Sequence, residues 1–321
     1  MPLPRRAFLL LPAICRAQPA GFERQTLVYK HTPQCAIKAD VFRAPGGGSR
    51  PALVWIHGGA LIWGSRASLE SSRREQLRRY LNAGFVVVSI DYRLAPETKL
   101  PAILEDVRDA CEWVRREGSN RFGADPGRVA LVGHSAGGYL GLQMAWSLKK
   151  PPKAVASYYG YGEIAGDWCS QPSAFYRRQP LVTASEAMLS VGASEIAEPP
   201  AENQRQRFYL YARQNGLWPK LVAGVDPLRE ARKLTPYCPV RHVTRRYPPA
   251  ILLHGREDTD VPYEKSVEMA KALERNGVAH DLALLPGLGH GFDHDMDNPV
   301  VSGAFDRGLE FLLKHVTANA Y

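Results

Sequence analysis

A glycine-flanked serine is the first place in this sequence where chemistry could happen. Gly133-His134-Ser135-Ala136-Gly137 has the form G-x-S-x-G, a sharp strand-to-helix turn that lifts a serine hydroxyl to a helix N-terminus. Side chains at the two outer positions would collide with neighbouring backbone, hence the glycines. Negative charge developing on the serine oxygen is favoured at such a helix end. A serine hydroxyl is a poor nucleophile near neutral pH, so it needs a base, and the base needs an orienting acid. Of the nine histidines, His290 lies in Leu288-Gly289-His290-Gly291-Phe292, just after the last expected strand. The flanking glycines let that backbone bend toward the serine, and His294, four residues on, is the main rival. The chain order nucleophile, acid, base puts the acid in the segment 254–262, where Glu257, Asp258 and Asp260 all qualify and spacing alone does not choose. His57-Gly58-Gly59-Ala60 follows an apolar run. Backbone N–H groups of such a loop, with that of Ala136, can hold the oxyanion of a tetrahedral intermediate. His57 itself is expected to pin the loop through hydrogen bonds rather than to act as a second base.

Elements able to position these residues are legible around them. Residues 52–56, 85–90, 129–132, 154–158, 251–253 and 281–285 read as buried strands, and 26–30 with 36–42 as an antiparallel pair leading into the sheet. Helical patterns lie around 69–81, 102–117 and 139–148. Two more carry Tyr263, Val267, Ala270 and Leu273, and Phe305, Leu309, Leu312 and Val316, at helical spacing. This alternation implies the α/β class, with a mostly parallel central sheet and helices on both faces. It stops over about 161–247, which shows helical patterns at 185–194 and 201–214 but no buried strand. That stretch reads as an inserted, mainly helical cap. It leaves after the fourth strand and returns before the acid-bearing segment, so it should lie over Ser135. Its Phe208, Tyr209, Tyr211 and Trp218 either wall a pocket or form the cap's own small core. A covered pocket would favour acyl chains of roughly two to six carbons.

The chain has 321 residues, 45% hydrophobic and 23% charged, an ordinary globular composition. Its net charge of +9 raises nucleic acid as a partner. However, the basic residues are scattered, and Arg73-Arg74 and Arg78-Arg79 fall on one expected amphipathic helix, opposite Leu77, Tyr80 and Leu81. They read as a solvated face, and nucleic-acid binding is not supported. No apolar run reaches the roughly 20 residues of a membrane-spanning helix. Arg5-Arg6, a short apolar run and Cys15-Arg16-Ala17 have the order of a twin-arginine export signal over 1–17, with a mature chain from Gln18. Export to the periplasm or beyond is the expectation, with a cytoplasmic location if the segment is a plain tail. The other four cysteines could then form up to two disulfides, and none of the five has zinc-site spacing.

Taken together, HGGA at 57–60, Tyr92-Arg93-Leu94-Ala95-Pro96-Glu97, GHSAGG, GREDTDVP and GLGHGF resemble bacterial carboxylesterases of the α/β-hydrolase superfamily, close to the hormone-sensitive-lipase group. The resemblance covers about 50–160 and 248–315 and implies an α/β-hydrolase fold over 18–321. It implies Asp258, the Asp of G-x-x-D-x-x-V-P, as the acid, and Gly58, Gly59 and Ala136 as oxyanion donors. It further implies hydrolysis of a small-molecule carboxylic ester through an acyl-serine intermediate, with no metal and no organic cofactor. Two positions depart from the group: Ala60 stands for the third glycine of HGGG, and His134 for the Asp usual before the nucleophile. Alternatives are a polysaccharide acetyl or feruloyl esterase, which export would suit, and a prolyl-oligopeptidase-like serine peptidase, which usually carries a large extra domain. A binding or adhesion protein on the same fold is a third, opposed by the complete set of reactive residues.

Overall fold

The structure, a computed structural model, describes residues 21–199 and 202–318. The expected export segment 1–17, with Cys15, and the start at Gln18 lie outside the described residues. Eight strands form one sheet: β1 (Glu23–His31), β2 (Ala36–Arg43), β3 (Arg50–Ile56), β4 (Val86–Ile90), β5 (Ala124–His134), β6 (Val155–Tyr158), β7 (Ala250–Gly255) and β8 (His280–Leu285). Their order is β1-β2-β4-β3-β5-β6-β7-β8. The β1–β2 and β2–β4 pairs are antiparallel, with Thr26 opposite Asp40 and Val41 opposite Val88, and every pair from β4–β3 to β7–β8 is parallel. Central strands buried on both faces are nearly continuous apolar runs, and β4 (Val-Val-Val-Ser-Ile) is one, its single hydroxyl, on Ser89, donating to Arg66 O.

The period-2 geometry of a strand splits these side chains between two cores. Ala52, Val54 and Ile56 of β3 join one apolar layer, and Leu53 and Trp55 join the other. The first layer is covered by α3 (Leu100–Phe122), α4 (Ala136–Ser147) and α10 (Glu264–Arg275). The second is covered by α1 (Ser68–Ser72), α2 (Arg74–Asn82) and α11 (Pro299–Thr317). Among the described residues no helix is long and apolar enough to cross a membrane.

Between β6 and β7 the chain is helical and irregular: α5 (Asp167–Ser170), α6 (Ala184–Met188), α7 (Glu202–Gln214), α8 (Trp218–Ala223) and α9 (Pro227–Glu230). Phe208, Tyr209 and Trp218 are buried in the same apolar layer as α3 and α4, so this excursion continues the core rather than enclosing one of its own. The helix expected over 185–194 is confined to α6, begun by a capping box of Thr183 and Glu186.

Three expectations are corrected. The helix foreseen over 69–81 breaks at Arg73 (φ −134°, ψ 35°) into α1 and α2. Arg73 is not on a solvated face: its guanidinium turns inward, and Nε donates to Asp293 Oδ2 at 2.6 Å. Arg78 and Arg79 do remain at the surface, paired with Glu75. Cys35, Cys111, Cys169 and Cys238 are all free, so the described residues hold no disulfide.

Candidate active site

Ser135 sits where β5 runs into α4. Its backbone (φ 54°, ψ −117°) belongs to neither element, a conformation that costs on the order of 1–3 kcal/mol and persists only where its surroundings fix it. They do: Ser135 N–H donates to Tyr158 O at 2.9 Å, and Ser135 O accepts from Tyr139 N–H at 3.1 Å. The turn packs against the end of β3 so closely that a Cβ on Gly137 would lie 2.1 Å from Ile56 O.

Three of the residues singled out by their motifs meet here. His290 Nε2 is 3.0 Å from Ser135 Oγ and accepts its proton's hydrogen bond, and His290 Nδ1 donates to Asp258 Oδ2 at 2.7 Å. Asp258 is buried, and its other oxygen accepts from the N–H groups of Asp260 (2.9 Å) and Val261 (2.8 Å). His254 Nε2, 3.1 Å away, donates to Oδ2 as well, and its Nδ1 accepts from Ser266 at 2.7 Å. Burial opposes the charge on Asp258, but the hydrogen bonds from His254 and His290 outweigh it and hold the carboxyl well below the usual carboxylate range. For His290 burial again opposes the charged form. The Asp258 hydrogen bond and the nearby charges of Asp260, Asp258 and Asp293 prevail, and the imidazole pKa lies above its ordinary value. Of the three acids the sequence left open, Asp258 is the one on His290 Nδ1. Asp260 stands on the other side of the ring, with Oδ2 3.7 Å from Nε2. The rival His294 makes no hydrogen bond to Ser135 or Asp258 among the described residues, and its Nε2 accepts from Arg73 Nη2 at 2.9 Å.

The loop after β3 comes down beside the serine. A Cβ on Gly58 would lie 2.8 Å from His134 O and 3.4 Å from Ser135 Cβ, so only glycine permits this approach. Ala60, in place of a third glycine, adopts the left-handed region (φ 54°), as does Leu61 (φ 65°). The strained turn is held by Trp218 Nε1, which donates to Ala60 O at 3.1 Å, and by the Ile62 and Trp63 N–H groups on Gly59 O. His57 is buried and stacked on Tyr92 at 4.1 Å, and its Nδ1 donates to Gly58 O at 2.7 Å. Burial pushes its pKa down to about 4, so the ring is neutral near pH 7 and serves the loop. Ala136, the first residue of α4, presents its N–H at the helix end next to Ser135.

Behind the His290 loop lies a buried network the motifs did not disclose. Asp293 accepts from Arg73 Nε, from Gln76 Nε2 at 2.8 Å and from the Tyr159 hydroxyl. His134 Nε2 stands 3.2 Å from the same carboxylate, and its ring stacks on Tyr158. The residue that replaces the group's usual Asp before the serine thus faces an Asp contributed by the histidine loop. Tyr159 packs its ring edge-on against His290 at 4.6 Å. Nothing local in the sequence marks Arg73 or Gln76 as partners of a residue more than 200 positions later.

Ser135 and His290 open into a cavity of about 280 Å³. It is walled by Trp55, Trp63, Tyr159, Arg73, His294 and Asp260, beside the Gly58–Ala60 loop. The cap aromatics Phe208, Tyr209, Tyr211 and Trp218 do not line it. Tyr209 instead bonds Asp260 through its hydroxyl, and Trp218 bonds the Ala60 carbonyl.

Comparison with known proteins accords with this architecture. The family profile described as alpha/beta hydrolase fold matches residues 53–294. The non-reducing polyketide synthase adrD of Penicillium roqueforti is 27% identical in a match covering 96% of this chain but only 14% of the synthase, so the chain spans a small part of that relative's length. The esterase LipC of Mycobacterium tuberculosis is 28% identical, with 91% of this chain and 65% of LipC covered. The solved structure of a Pyrobaculum calidifontis esterase shares the fold, with a TM-score of 0.65 at 24% identity over 93% of this chain and 86% of that one.

Proposed function

Because the chain belongs to the alpha/beta hydrolase fold family, we propose that it is a carboxylic-ester hydrolase using Ser135, His290 and Asp258 as its triad, with small short-chain esters as substrates. The observation that carries this reading is the continuous hydrogen-bonded chain Asp258–His290–Ser135 at the mouth of a cavity, beneath a glycine loop. The likeness to the esterase LipC supports the same chemistry.

In this mechanism Ser135 Oγ attacks the acyl carbon while His290 Nε2 takes its proton, and Asp258 balances the imidazolium so formed. The N–H groups of Gly58, Gly59 and Ala136 receive the oxyanion. Each such donor is worth about 2.7–4 kcal/mol of transition-state stabilisation. His290 then protonates the leaving alkoxide, and water hydrolyses the acyl-serine by the same path in reverse. The short-chain reading rests on cavity size: about 280 Å³ is at the small end for ligand pockets, which run from roughly 300 to 1,000 Å³. Each methylene discriminated there is worth about 1–3 kcal/mol. The test is kcat/KM on p-nitrophenyl esters from acetate to palmitate, with a maximum expected between roughly two and six carbons. A maximum at long chains with activation at an oil–water interface overturns the chain-length reading, and no hydrolysis of any ester overturns the class.

A further inference from the structure

We propose that Asp260 holds the water that hydrolyses the acyl-serine intermediate, and is therefore a further catalytic side chain of this site. This rests on the triad reading above and deepens it.

Asp260 is fixed from three directions. Its N–H donates to Asp258 Oδ1 at 2.9 Å, its Oδ1 accepts from Arg213 Nη1 at 2.7 Å and from the Tyr209 hydroxyl, and its carbonyl accepts from Arg213 Nη2 at 3.0 Å. Arg213 is itself buried among the rings of Trp168, Tyr176 and Tyr209, 5.1–5.6 Å from their centroids. A carboxylate whose only task was to anchor Arg213 would need no more than Oδ1 and the carbonyl. The remaining oxygen, Oδ2, has no hydrogen bond of ordinary length among the described residues, although the Tyr176 hydroxyl lies near the same carboxylate, and it stands in the cavity, 3.7 Å from His290 Nε2. This oxygen is open to the cavity, where water reaches it.

The 3.7 Å separation suits one water at ordinary hydrogen-bond lengths of about 2.8 Å from both acceptors. Its two hydrogens then point at Nε2 and Oδ2, which leaves a lone pair for the acyl carbon on Ser135, whose Oγ lies 3.0 Å from the same Nε2. In the deacylation step the water oxygen bonds to the acyl carbon, its proton passes to His290 Nε2, and the carbonyl electrons move onto the oxyanion. Collapse breaks the bond to Ser135 Oγ, which recovers the proton from His290. Asp260 exchanges no proton, and its charge orients the water and faces the imidazolium. During acylation the leaving-group oxygen occupies this place, so the water-holding role belongs to the second half of the cycle, while the charge of Asp260 faces the imidazolium in both halves.

That asymmetry supplies the test. kcat/KM reports acylation only, whereas kcat includes deacylation. With p-nitrophenyl acetate at about pH 8, Asp260→Asn should release a burst of nitrophenol equivalent to the enzyme present and then turn over slowly. Its kcat should fall about tenfold or more, KM should fall as well, and kcat/KM should fall by clearly less than kcat. In this variant a fluorophosphonate, which needs no deacylation, should still label Ser135, at a rate that falls by less than kcat. Equal loss in kcat and kcat/KM, or no burst and no loss, overturns the proposal. If the unmodified protein hydrolyses no ester at all, it is the esterase reading that fails.

Discussion

Arg205 on α7 is fully buried and bidentate to Glu97, with Nη1–Oε1 at 2.7 Å and Nη2–Oε2 at 2.9 Å. It also donates to the carbonyls of Ile62, Ala95 and Ser190. It thus ties the cap to the loop after the Gly58–Ala60 turn and to the loop after β4. Arg205→Ala strands Glu97, 1% exposed at its side chain, with the Gly192 N–H at 2.9 Å as its remaining partner among the described residues. Removing one member of a buried pair costs about 3–5 kcal/mol. The deficit against the unmodified protein should therefore be about 3–5 kcal/mol. Urea titrations measure this, and the double variant Arg205→Met/Glu97→Gln should recover much of the loss. A deficit under about 1 kcal/mol, or a double variant no better than the single one, would refute the reasoning.

Two further outcomes follow from the site. His290 must be neutral to accept the serine proton, and its pKa is raised, so the acid limb of kcat/KM should have its midpoint above about 6.5. Asp260→Asn removes one of the charges responsible and should move that limb to lower pH; a midpoint below 6.5 in the unmodified enzyme would contradict the electrostatics. Ala60 in the left-handed region carries about 1–2 kcal/mol of strain, and glycine adds about 0.4–1 kcal/mol of unfolded-state entropy. Ala60→Gly should therefore raise stability by roughly 0.5–1 kcal/mol in thermal unfolding, and a loss of stability would show that the alanine methyl packs better than the turn suggests.

The sheet was legible because its central strands are buried on both faces, and runs such as 86–90 have no other use. Boundaries were less so. The spacing predicts a helix over 102–117, whereas α3 runs from Leu100, with Pro101 in its first turn, to a left-handed Gly123 cap. The serine and histidine turns announce themselves by glycines that local sterics require. The choice between Asp258 and Asp260 could not be made from spacing, since both lie on one short loop. What separates them is which carboxylate the His254 ring and the N–H groups of Asp260 and Val261 face. The cap resisted reading for a different reason. Its organising contacts are single buried charges, Arg205 to Glu97 and Arg213 to Asp260, that cross long stretches of chain and leave no periodic trace. The same holds for Arg73, which breaks a helix that its neighbours' spacing would continue.

The triad is the centre of the account, and covalent labelling with a fluorophosphonate, mapped by mass spectrometry, tests it most directly. One adduct per chain is expected, on Ser135. Labelling should be absent in Ser135→Ala, slowed by orders of magnitude in His290→Ala and Asp258→Asn, and retained in His294→Ala and Asp260→Asn. An adduct on another residue, no adduct at all, or full-rate labelling of Asp258→Asn would contradict it.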